Sequence, residues 1–151
     1  MNRHRFIVAG LVIIPSLSFQ PVGELKFRKQ VIAAESNESA GAFDVNGDQQ
    51  LDIVSGSYWY EGPGFLKRHL IGNVKRVGEY YDDFSTIPMD VNGDGKMDFI
   101  TGRWFDETLR WRENPGDNKE WKLNDIIKTG NIETTRAWDV DGDGFHRTIC
   151  L

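Results

Sequence analysis

The chain has 151 residues, of which 39% are hydrophobic and 12% aromatic, a composition that suffices for the core of one globular domain. Its 23 acidic residues outnumber its 18 basic ones and no basic cluster is present, which argues against a nucleic acid partner. The one cysteine, Cys150, excludes an intramolecular disulfide.

The N-terminal segment has the layout of an export signal. Arg3 and Arg5 precede a nine-residue apolar core, and Ser16 and Ser18 place small residues where a signal peptidase cuts. The apolar run is too short to span a bilayer, which disfavours a membrane anchor. We therefore predict that residues 1–18 are a signal peptide and that the protein is secreted, periplasmic or on the cell surface.

The segment after the signal is a lead-in, residues 19–37. Within it, residues 23–34 alternate weakly between apolar and polar side chains, which predicts one strand. Nowhere in the chain does amphipathic helical spacing continue for the roughly ten residues that a helix needs. Because β-branched and aromatic residues are frequent in the remainder, we predict an all-β fold.

Three nine-residue stretches alternate oxygen-bearing side chains with other residues. They begin at Asp44, Asp90 and Asp139, which are 46 and 49 residues apart, and such a period indicates repeat units. A hard cation such as calcium (Ca2+) takes about six to eight oxygen ligands. Alternate positions of a curled loop direct such oxygens inward, and glycines permit the backbone angles of the curl. The candidate calcium ligands, with position 7 offering its backbone carbonyl, are Asp44, Asn46, Asp48, Gln50, Asp52, Asp90, Asn92, Asp94, Lys96, Asp98, Asp139, Asp141 and Asp143.

These stretches are not EF-hand loops. An EF-hand loop lies between helices and closes with a glutamate at position 12, whereas position 12 here is Ser55, Thr101 or Cys150. The segments that follow the first two stretches, residues 52–60 and 98–104, are rich in β-branched and aromatic residues, which favours strands. The sequence therefore predicts calcium loops between strands.

The second stretch resembles a known repeat. It reads Asp-Val-Asn-Gly-Asp-Gly-x-x-Asp, then two hydrophobic residues, one further residue and Gly, and so resembles the FG-GAP/VCBS repeats of integrin-α-like β-propellers. The resemblance covers about residues 38–146 and implies four-stranded blades with calcium in a hairpin loop at one end of the propeller. In the first loop Gln49 replaces a glycine, so we expect either backbone strain or a looser loop, and weaker binding there. In the third loop Arg147 replaces the aspartate of position 9, which makes that loop the poorest match.

This resemblance divides the chain into the repeats of a partial β-propeller. Residues 38–83 form the first repeat, residues 84–132 the second, and residues 133–151 a truncated third. Two complete blades and the start of a third are fewer than the roughly 4–8 blades that close a propeller. The residues after position 144 fit none of the repeat pattern, so we expect no strand after the third loop.

Matching positions around the loops predict how each repeat packs. A large apolar residue precedes each loop, namely Phe43, Met89 or Trp138, and we expect it to point inward. A Pro-Gly turn follows in each of the first two repeats. The strands predicted beyond these turns cover residues 65–71 and 121–127.

Two segments have no counterpart in the other repeats. Residues 80–83, Tyr-Tyr-Asp-Asp, lie in the connection between the first two repeats, and residues 105–108 lengthen a hairpin of the second. Loops carry binding function more often than strands do. We nevertheless interpret residues 80–83 as an ordinary solvated connection rather than a ligand contact.

Nothing in the sequence indicates catalysis. His69 has no nucleophile beside it, so a structural role is favoured over that of a general base. Glu61 and Glu113 occupy equivalent turns, which favours a structural role for each over a catalytic pair. The five tryptophans are more typical of a sheet core than of sugar stacking. We predict that the chain is not an enzyme.

Two classes of function remain open. The first is an exported, non-catalytic calcium-binding module for adhesion or for binding an extracellular protein or glycan. The alternative is the propeller fragment of an exported carbohydrate-active enzyme, a lyase or hydrolase whose catalytic part lies elsewhere. Neither class requires a nucleic acid partner or a membrane span.

Overall fold

The computed structural model describes residues 24–144 and 146–150, and every regular secondary-structure element in these ranges is a β-strand. The predicted all-β fold is therefore confirmed for these residues. No helix with the length and hydrophobicity of a membrane span occurs among them. The chain divides into two units, residues 1–30 and residues 31–151. The predicted signal peptide, residues 1–18, lies outside the described ranges.

The strand predicted in the lead-in is wrong for its described part. Residues 24–34 contain no regular secondary structure, and Leu25 and Phe27 are 80% and 94% exposed. A strand persists where its backbone N–H and C=O groups pair with a neighbour. None of the sheets among the described residues includes this segment, so alternation alone does not make it a strand.

The first sheet is a four-stranded antiparallel meander within the first predicted repeat. Asp52 and Val54 are buried on one face of its second strand, whereas Ile53 and Ser55 are half-buried on the other, because successive side chains of a strand point to opposite faces. In order of pairing, the strands are β1 (Gly41–Phe43), β2 (Asp52–Ser55), β3 (Tyr58–Tyr60) and β4 (Arg68–Leu70).

The second sheet repeats this meander within the second predicted repeat. Its strands are β7 (Ile87–Met89), β8 (Asp98–Gly102), β9 (Thr108–Glu113) and β10 (Lys122–Lys128), again paired in chain order. All residues of β8 are buried. Phe99 belongs to a cluster shared with the first sheet, and Ile100 belongs to a separate cluster. Neighbouring residues of a strand face opposite ways, so the second sheet is covered on both faces.

The larger hydrophobic cluster joins the two sheets. The rings of Phe99 and Trp121 lie 5.8 Å apart, and the N–H of Trp121 donates a hydrogen bond to the carbonyl of Ile71 at 2.7 Å. Each fully buried large apolar side chain contributes about 1.5–3 kcal/mol, so this cluster holds the sheets together. Its members are Phe43, Val45, Val54, Trp59, Ile71, Phe99 and Trp121. The smaller cluster, on the far side of the second sheet, consists of Ile100, Leu109 and Ile132.

The remaining described strands form two hairpins. One, β5 (Arg76–Val77) with β6 (Tyr80–Tyr81), lies in the connection between the two sheets. The other, β11 (Thr135–Trp138) with β12 (Arg147–Cys150), flanks the third loop. The expectation that no strand follows the third loop is therefore wrong. Backbone pairing needs only N–H and C=O groups, so residues outside the repeat pattern still form it.

The residues that precede the loops differ in burial. Phe43 is buried and Met89 is half-buried, as predicted. Trp138 is 58% exposed, which contradicts the prediction that it points inward. In its two-stranded hairpin β11 is buried at its first residue, Thr135, and is exposed at its last, so among the described residues nothing covers the end that carries Trp138.

Candidate metal-binding loops

The three predicted calcium loops occupy the same place in their hairpins. In each hairpin the residue before the loop pairs with the ninth residue of the loop. These pairs are Phe43 with Asp52, Met89 with Asp98, and Trp138 with Arg147. The loops therefore begin and close in one register, although their ninth residues differ in charge.

The first residue of the second loop, Asp90, organises its curl. Asp90 Oδ1 accepts hydrogen bonds from the N–H groups of Gly93 at 2.8 Å and Asp94 at 3.1 Å, and Oδ2 accepts one from Gly95 at 2.9 Å. The N–H of Asp94 also donates to Asn92 Oδ1 at 3.0 Å. Asp90 Oδ1 and Asn92 Oδ1 therefore lie close together, because both accept a hydrogen bond from the N–H of Asp94.

The first and third loops repeat this hydrogen-bond set. Asp44 accepts from the N–H groups of residues 47–49 at 2.8, 3.1 and 2.8 Å. Asp139 accepts from those of residues 142–144 at 2.7, 3.1 and 2.9 Å. Each set lies within six consecutive residues, so the curl is a property of the local sequence in which aspartate binds the backbone that follows it.

Two positions of each loop have a left-handed backbone. At position 4 a glycine adopts φ of 79°, 75° or 74° in the three loops. At position 6, Gly95 and Gly144 adopt φ of 83° and 88°, and Gln49 is forced to 67°. A residue with a Cβ atom pays roughly 1–2 kcal/mol for this conformation. This is the strain that the missing glycine predicts for the first loop.

The aspartates of position 9 join the first two loops to the next hairpin. Asp98 is fully buried, and its two oxygens accept hydrogen bonds from the N–H groups of Val91 at 3.1 Å and Asn114 at 2.7 Å. Asp52 is equally buried and accepts the equivalent pair at 2.8 and 2.7 Å. Burial raises the pKa of Asp98. Since a carboxylate oxygen has a second lone pair, these groups brace the loop and retain capacity to bind a metal.

The third loop has an internal cation in place of that aspartate. Asp139, Asp141 and Asp143 present oxygens within 4.8 Å of one another. The guanidinium of Arg147 donates to Asp141 at 2.8 Å and to the two oxygens of Asp143 at 3.1 and 2.6 Å. The hydrogen bond to Asp143 raises the pKa of Arg147, and the backbone N–H of Gly144 lowers that of Asp139. The guanidinium already balances charge that a metal ion would balance.

The second loop also carries a basic residue, but one that is held less firmly. The ammonium of Lys96 donates to Asp94 Oδ2 at 2.8 Å, and this hydrogen bond lowers the pKa of Asp94 and raises that of Lys96. An ammonium on a flexible stem moves aside more easily than a guanidinium fixed by several hydrogen bonds. At the same position of the first loop, the N–H of Gln50 donates to Asp48 at 2.8 Å. The carbonyl ligands at position 7 stay a prediction.

The first two loops and the third differ in their candidate donors. In the first two, positions 1, 3 and 5 supply carboxylate and amide oxygens, and position 9 is a buried carboxylate. The third loop lacks that carboxylate and pairs two of its three acids with arginine. Among the described residues, however, only Asp139, Asp141 and Asp143 bring three carboxylates within 4.8 Å of one another, so these three could hold a metal ion. The candidate side chains of the first two loops form no such close group of three acids; they are Asp44, Asn46, Asp48, Asp52, Asp90, Asn92, Asp94 and Asp98.

The sequence analysis missed the residue that ties the first two loops together. The side-chain amide of Asn114 donates to the carbonyls of Val45 at 2.9 Å and Met97 at 3.1 Å, while its N–H binds Asp98. Val45 belongs to the first loop and Met97 to the second. The signal was an Asn-Pro-Gly turn where the first repeat has Gly-Pro-Gly, since Gly62 has no side chain for this role.

A polar groove of about 250 Å³ lies beside the first loop, and His69 and Glu61 line it. The His69 ring stacks on Trp59 with centroids 4.1 Å apart, and its Nε2 lies 3.2 Å from Glu61 Oε2. A hydrogen bond from Lys67 lowers the pKa of Glu61. His69 is thus held by a ring on one side and a carboxylate on the other, an arrangement that suits a structural histidine.

The chain matches no family model, and comparisons with curated proteins and with solved structures gave no match either. Its function is therefore argued from the sequence pattern and from the geometry of the loops and pockets.

Proposed function

We propose that the chain is an exported, non-catalytic module of FG-GAP/VCBS type, which binds calcium in its first two loops and a protein or glycan elsewhere on its surface. The observation that carries this proposal is the buried carboxylate, Asp52 or Asp98, that closes each of the first two loops behind their alternate oxygen donors. The third loop has the same curl, but Arg147 stands in the place of that carboxylate.

A partial β-propeller is the architecture that we propose for this module. Two four-stranded antiparallel meanders follow one another, and β7 contacts both β1 and β11, the strands that begin the neighbouring repeats. Propeller blades are four-stranded sheets arranged around a central channel, with their first strands innermost. The proposal assigns residues 38–83 and 84–132 to complete blades and residues 133–151 to the start of a third.

Calcium would stabilise the packing of the two sheets as well as the loops. Asp98 and Asn114 connect the second loop to the hairpin behind it, and Asn114 also reaches the first loop. The unfolded chain has no preformed set of oxygens, so an ion that binds only the folded state stabilises it by mass action.

Export is supported by the N-terminal pattern and by the chemistry of the loops. Residues 1–18 have the charged start, apolar core and small residues of a signal peptide. Calcium sites of extracellular modules have dissociation constants of roughly 10⁻⁴–10⁻³ M. We expect dissociation constants in that range, because the loops are exposed and Asp94 of the second loop is paired with Lys96. Extracellular calcium is concentrated enough to occupy sites of that affinity.

Calorimetric titration of calcium into metal-free protein tests the proposal. We expect two sites in the unaltered chain and one in Asp94→Ala. Asp117→Ala is the matched control, because Asp117 pairs with Lys119 two residues later, as Asp94 does with Lys96, yet lies outside every loop. The proposal is wrong if no calcium binds, or if the control loses as much binding as Asp94→Ala.

A further inference from the structure

The two segments that lack counterparts in the other repeats meet in the structure. The connection that carries residues 80–83 lies against residues 103–107, the link between β8 and β9. Asp82 is fully buried, and its two oxygens accept hydrogen bonds from the N–H groups of Phe105 at 3.0 Å and Asp106 at 3.2 Å. A buried carboxylate therefore fixes one irregular segment to the other, and both lie away from the calcium-type loops.

An open pocket of about 200 Å³ is formed at this junction. We call it the aromatic pocket, because four of its five lining residues are aromatic. Tyr80 is 54% exposed, and Trp104 and Phe105 are each 38% exposed. The rings of Phe84 and Phe105 lie 6.4 Å apart at an angle of 52°, so they face the pocket from different directions. The lining is completed by a carboxylate, that of Glu133.

The walls of the aromatic pocket are anchored by backbone hydrogen bonds. The N–H of Phe84 donates to the carbonyl of Gly102 at 3.0 Å. The side-chain amide of Asn131 donates to the carbonyl of Trp104 at 2.8 Å, and Phe105 is held by the buried carboxylate described above. A site whose backbone is already ordered loses less conformational entropy when a ligand binds.

The charge of the pocket is unbalanced. Basic groups near the β8–β9 link are engaged by Asp106, which pairs with Lys75 at 2.7 Å, Arg110 at 3.2 Å and Arg103 at 3.6 Å. Glu133 has neither an ion-pair partner nor a hydrogen bond among the described residues. The pocket therefore combines four aromatic rings with one carboxylate that is open to a partner.

We propose that the aromatic pocket binds a quaternary ammonium group. The faces of aromatic rings carry a negative quadrupole that attracts a cation within about 6 Å of the ring centroid. Methyl groups on the nitrogen gain by contact with the exposed rings, and Glu133 supplies the opposite charge. A neutral sugar, which has a hydroxyl on most ring carbons, meets few polar groups here: the Tyr80 hydroxyl, the Trp104 indole N–H and the Glu133 carboxylate.

This inference goes beyond the proposed calcium-binding function, and no residue of the aromatic pocket belongs to any of the three predicted calcium loops. Binding of a quaternary ammonium ion can therefore fail while calcium binding succeeds, and the reverse also holds. Both titrations are run on the same preparations, so the two proposals are judged separately.

The test compares choline with 3,3-dimethyl-1-butanol, its uncharged isostere, by calorimetric titration at constant calcium. We expect choline to saturate one site with a dissociation constant on the order of 1 mM, and the uncharged isostere to bind at least about tenfold more weakly. Methyl glucoside, a neutral sugar, should not bind at this site.

Two substitutions and two matched controls locate the ligand. Trp104→Leu removes an exposed ring face, and Glu133→Gln removes the charge, and each should weaken choline binding by about tenfold. Trp138→Leu, at an exposed tryptophan outside the pocket, and Glu38→Gln, at an exposed acid outside it, should leave the binding unchanged. An unaltered far-ultraviolet circular dichroism spectrum and an unaltered urea-unfolding midpoint show that each variant is folded.

Two further probes distinguish sources of the same chemical group. Phosphocholine represents a headgroup, and free Nε-trimethyllysine represents a modified side chain. Glu133-dependent binding of either supports the proposal, and the tighter of the two identifies the source. The proposal is overturned if choline does not saturate, if the uncharged isostere or the sugar binds as tightly as choline, or if Glu133→Gln binds choline as well as the unaltered chain does.

Discussion

The second and third loops share one backbone and differ at the residue that closes them. Both curl around a first aspartate that accepts three backbone N–H groups at nearly equal distances. The second closes with Asp98, which is buried and braced by the chain. The third closes with Arg147, which lies at the surface and pairs with Asp141 and Asp143. The curl therefore depends on the first six residues, whereas the ninth decides whether a buried carboxylate or a surface guanidinium closes the loop.

This difference shows that the net charge of an acidic cluster depends on the basic groups beside it. The third loop brings three carboxylates within 4.8 Å, the densest such group among the described residues. The same loop carries the guanidinium that balances them. The second loop has fewer carboxylates near its centre, yet it adds one from the sheet.

The largest expected effect comes from removing the buried closing carboxylate. Asp98→Ala leaves the N–H groups of Val91 and Asn114 without their acceptor, and each unsatisfied buried group costs about 1–3 kcal/mol. We expect urea unfolding in chelator to show a loss of about 4 kcal/mol. Arg147→Ala, at the same position of the exposed third loop, should change the free energy of unfolding little. Equal effects of the two substitutions would contradict the comparison.

The next largest effect is expected when position 9 of the third loop, Arg147, is changed to the aspartate that the second loop has there. Arg147→Asp removes the internal cation and restores a carboxylate at position 9, so calorimetry should count one additional calcium ion per chain. At a calcium concentration about 100 times the dissociation constant, that site adds about 3 kcal/mol of stability. Arg147→Gln is the control, because it removes the charge and supplies no carboxylate. A gain of the same size in the control would show that the closing carboxylate is not needed.

The segments before the two loops also differ, and this difference predicts a pH dependence. Seven residues before the first ligand, the second repeat has Asp83 where the third has Ile132. Burial raises the pKa of Asp83 to about 6, although Thr101 donates a hydrogen bond to it. The folded chain therefore keeps a proton that the unfolded chain releases near pH 4. Stability from this group is largest at low pH and is lost as the pH rises through about 6, by roughly 2–3 kcal/mol.

The contribution of Asp83 is measured by urea unfolding in chelator between about pH 4 and 7. It is the difference in the free energy of unfolding between the unaltered chain and Asp83→Asn. The asparagine oxygen can still accept the bond from Thr101, so the difference isolates the titration. If the two chains change in parallel with pH, Asp83 does not carry the predicted proton.

The smallest effect comes from position 6, where the first loop departs from the other two. Gln49→Gly relieves a left-handed backbone and should raise stability by roughly 0.5–1 kcal/mol, because the relief exceeds the entropy that glycine loses on folding. Gly95→Gln places the same strain in the second loop and should lower the free energy of unfolding by a similar amount. Opposite shifts in these two variants are required, and shifts of one sign in both would refute the equivalence of the loops.

Local features were predictable because their bonds join residues close in sequence. The curl from Asp44, Asp90 or Asp139 needs only the next five residues, and the register of each hairpin follows from it. The strand predicted over residues 23–34 is wrong since alternation cannot supply a pairing partner. The inward orientation of Trp138 is wrong since a residue type cannot supply a covering layer.

The sequence by itself determined the all-β class, the three equivalent loops and the strain at Gln49, because each depends on backbone angles or on contacts within a few residues. Only the tertiary structure decided that Asn114 joins two loops and that separate irregular segments build an aromatic pocket. Those arrangements unite residues as many as 69 positions apart, and no periodicity in the chain encodes which distant groups the packed sheets bring together.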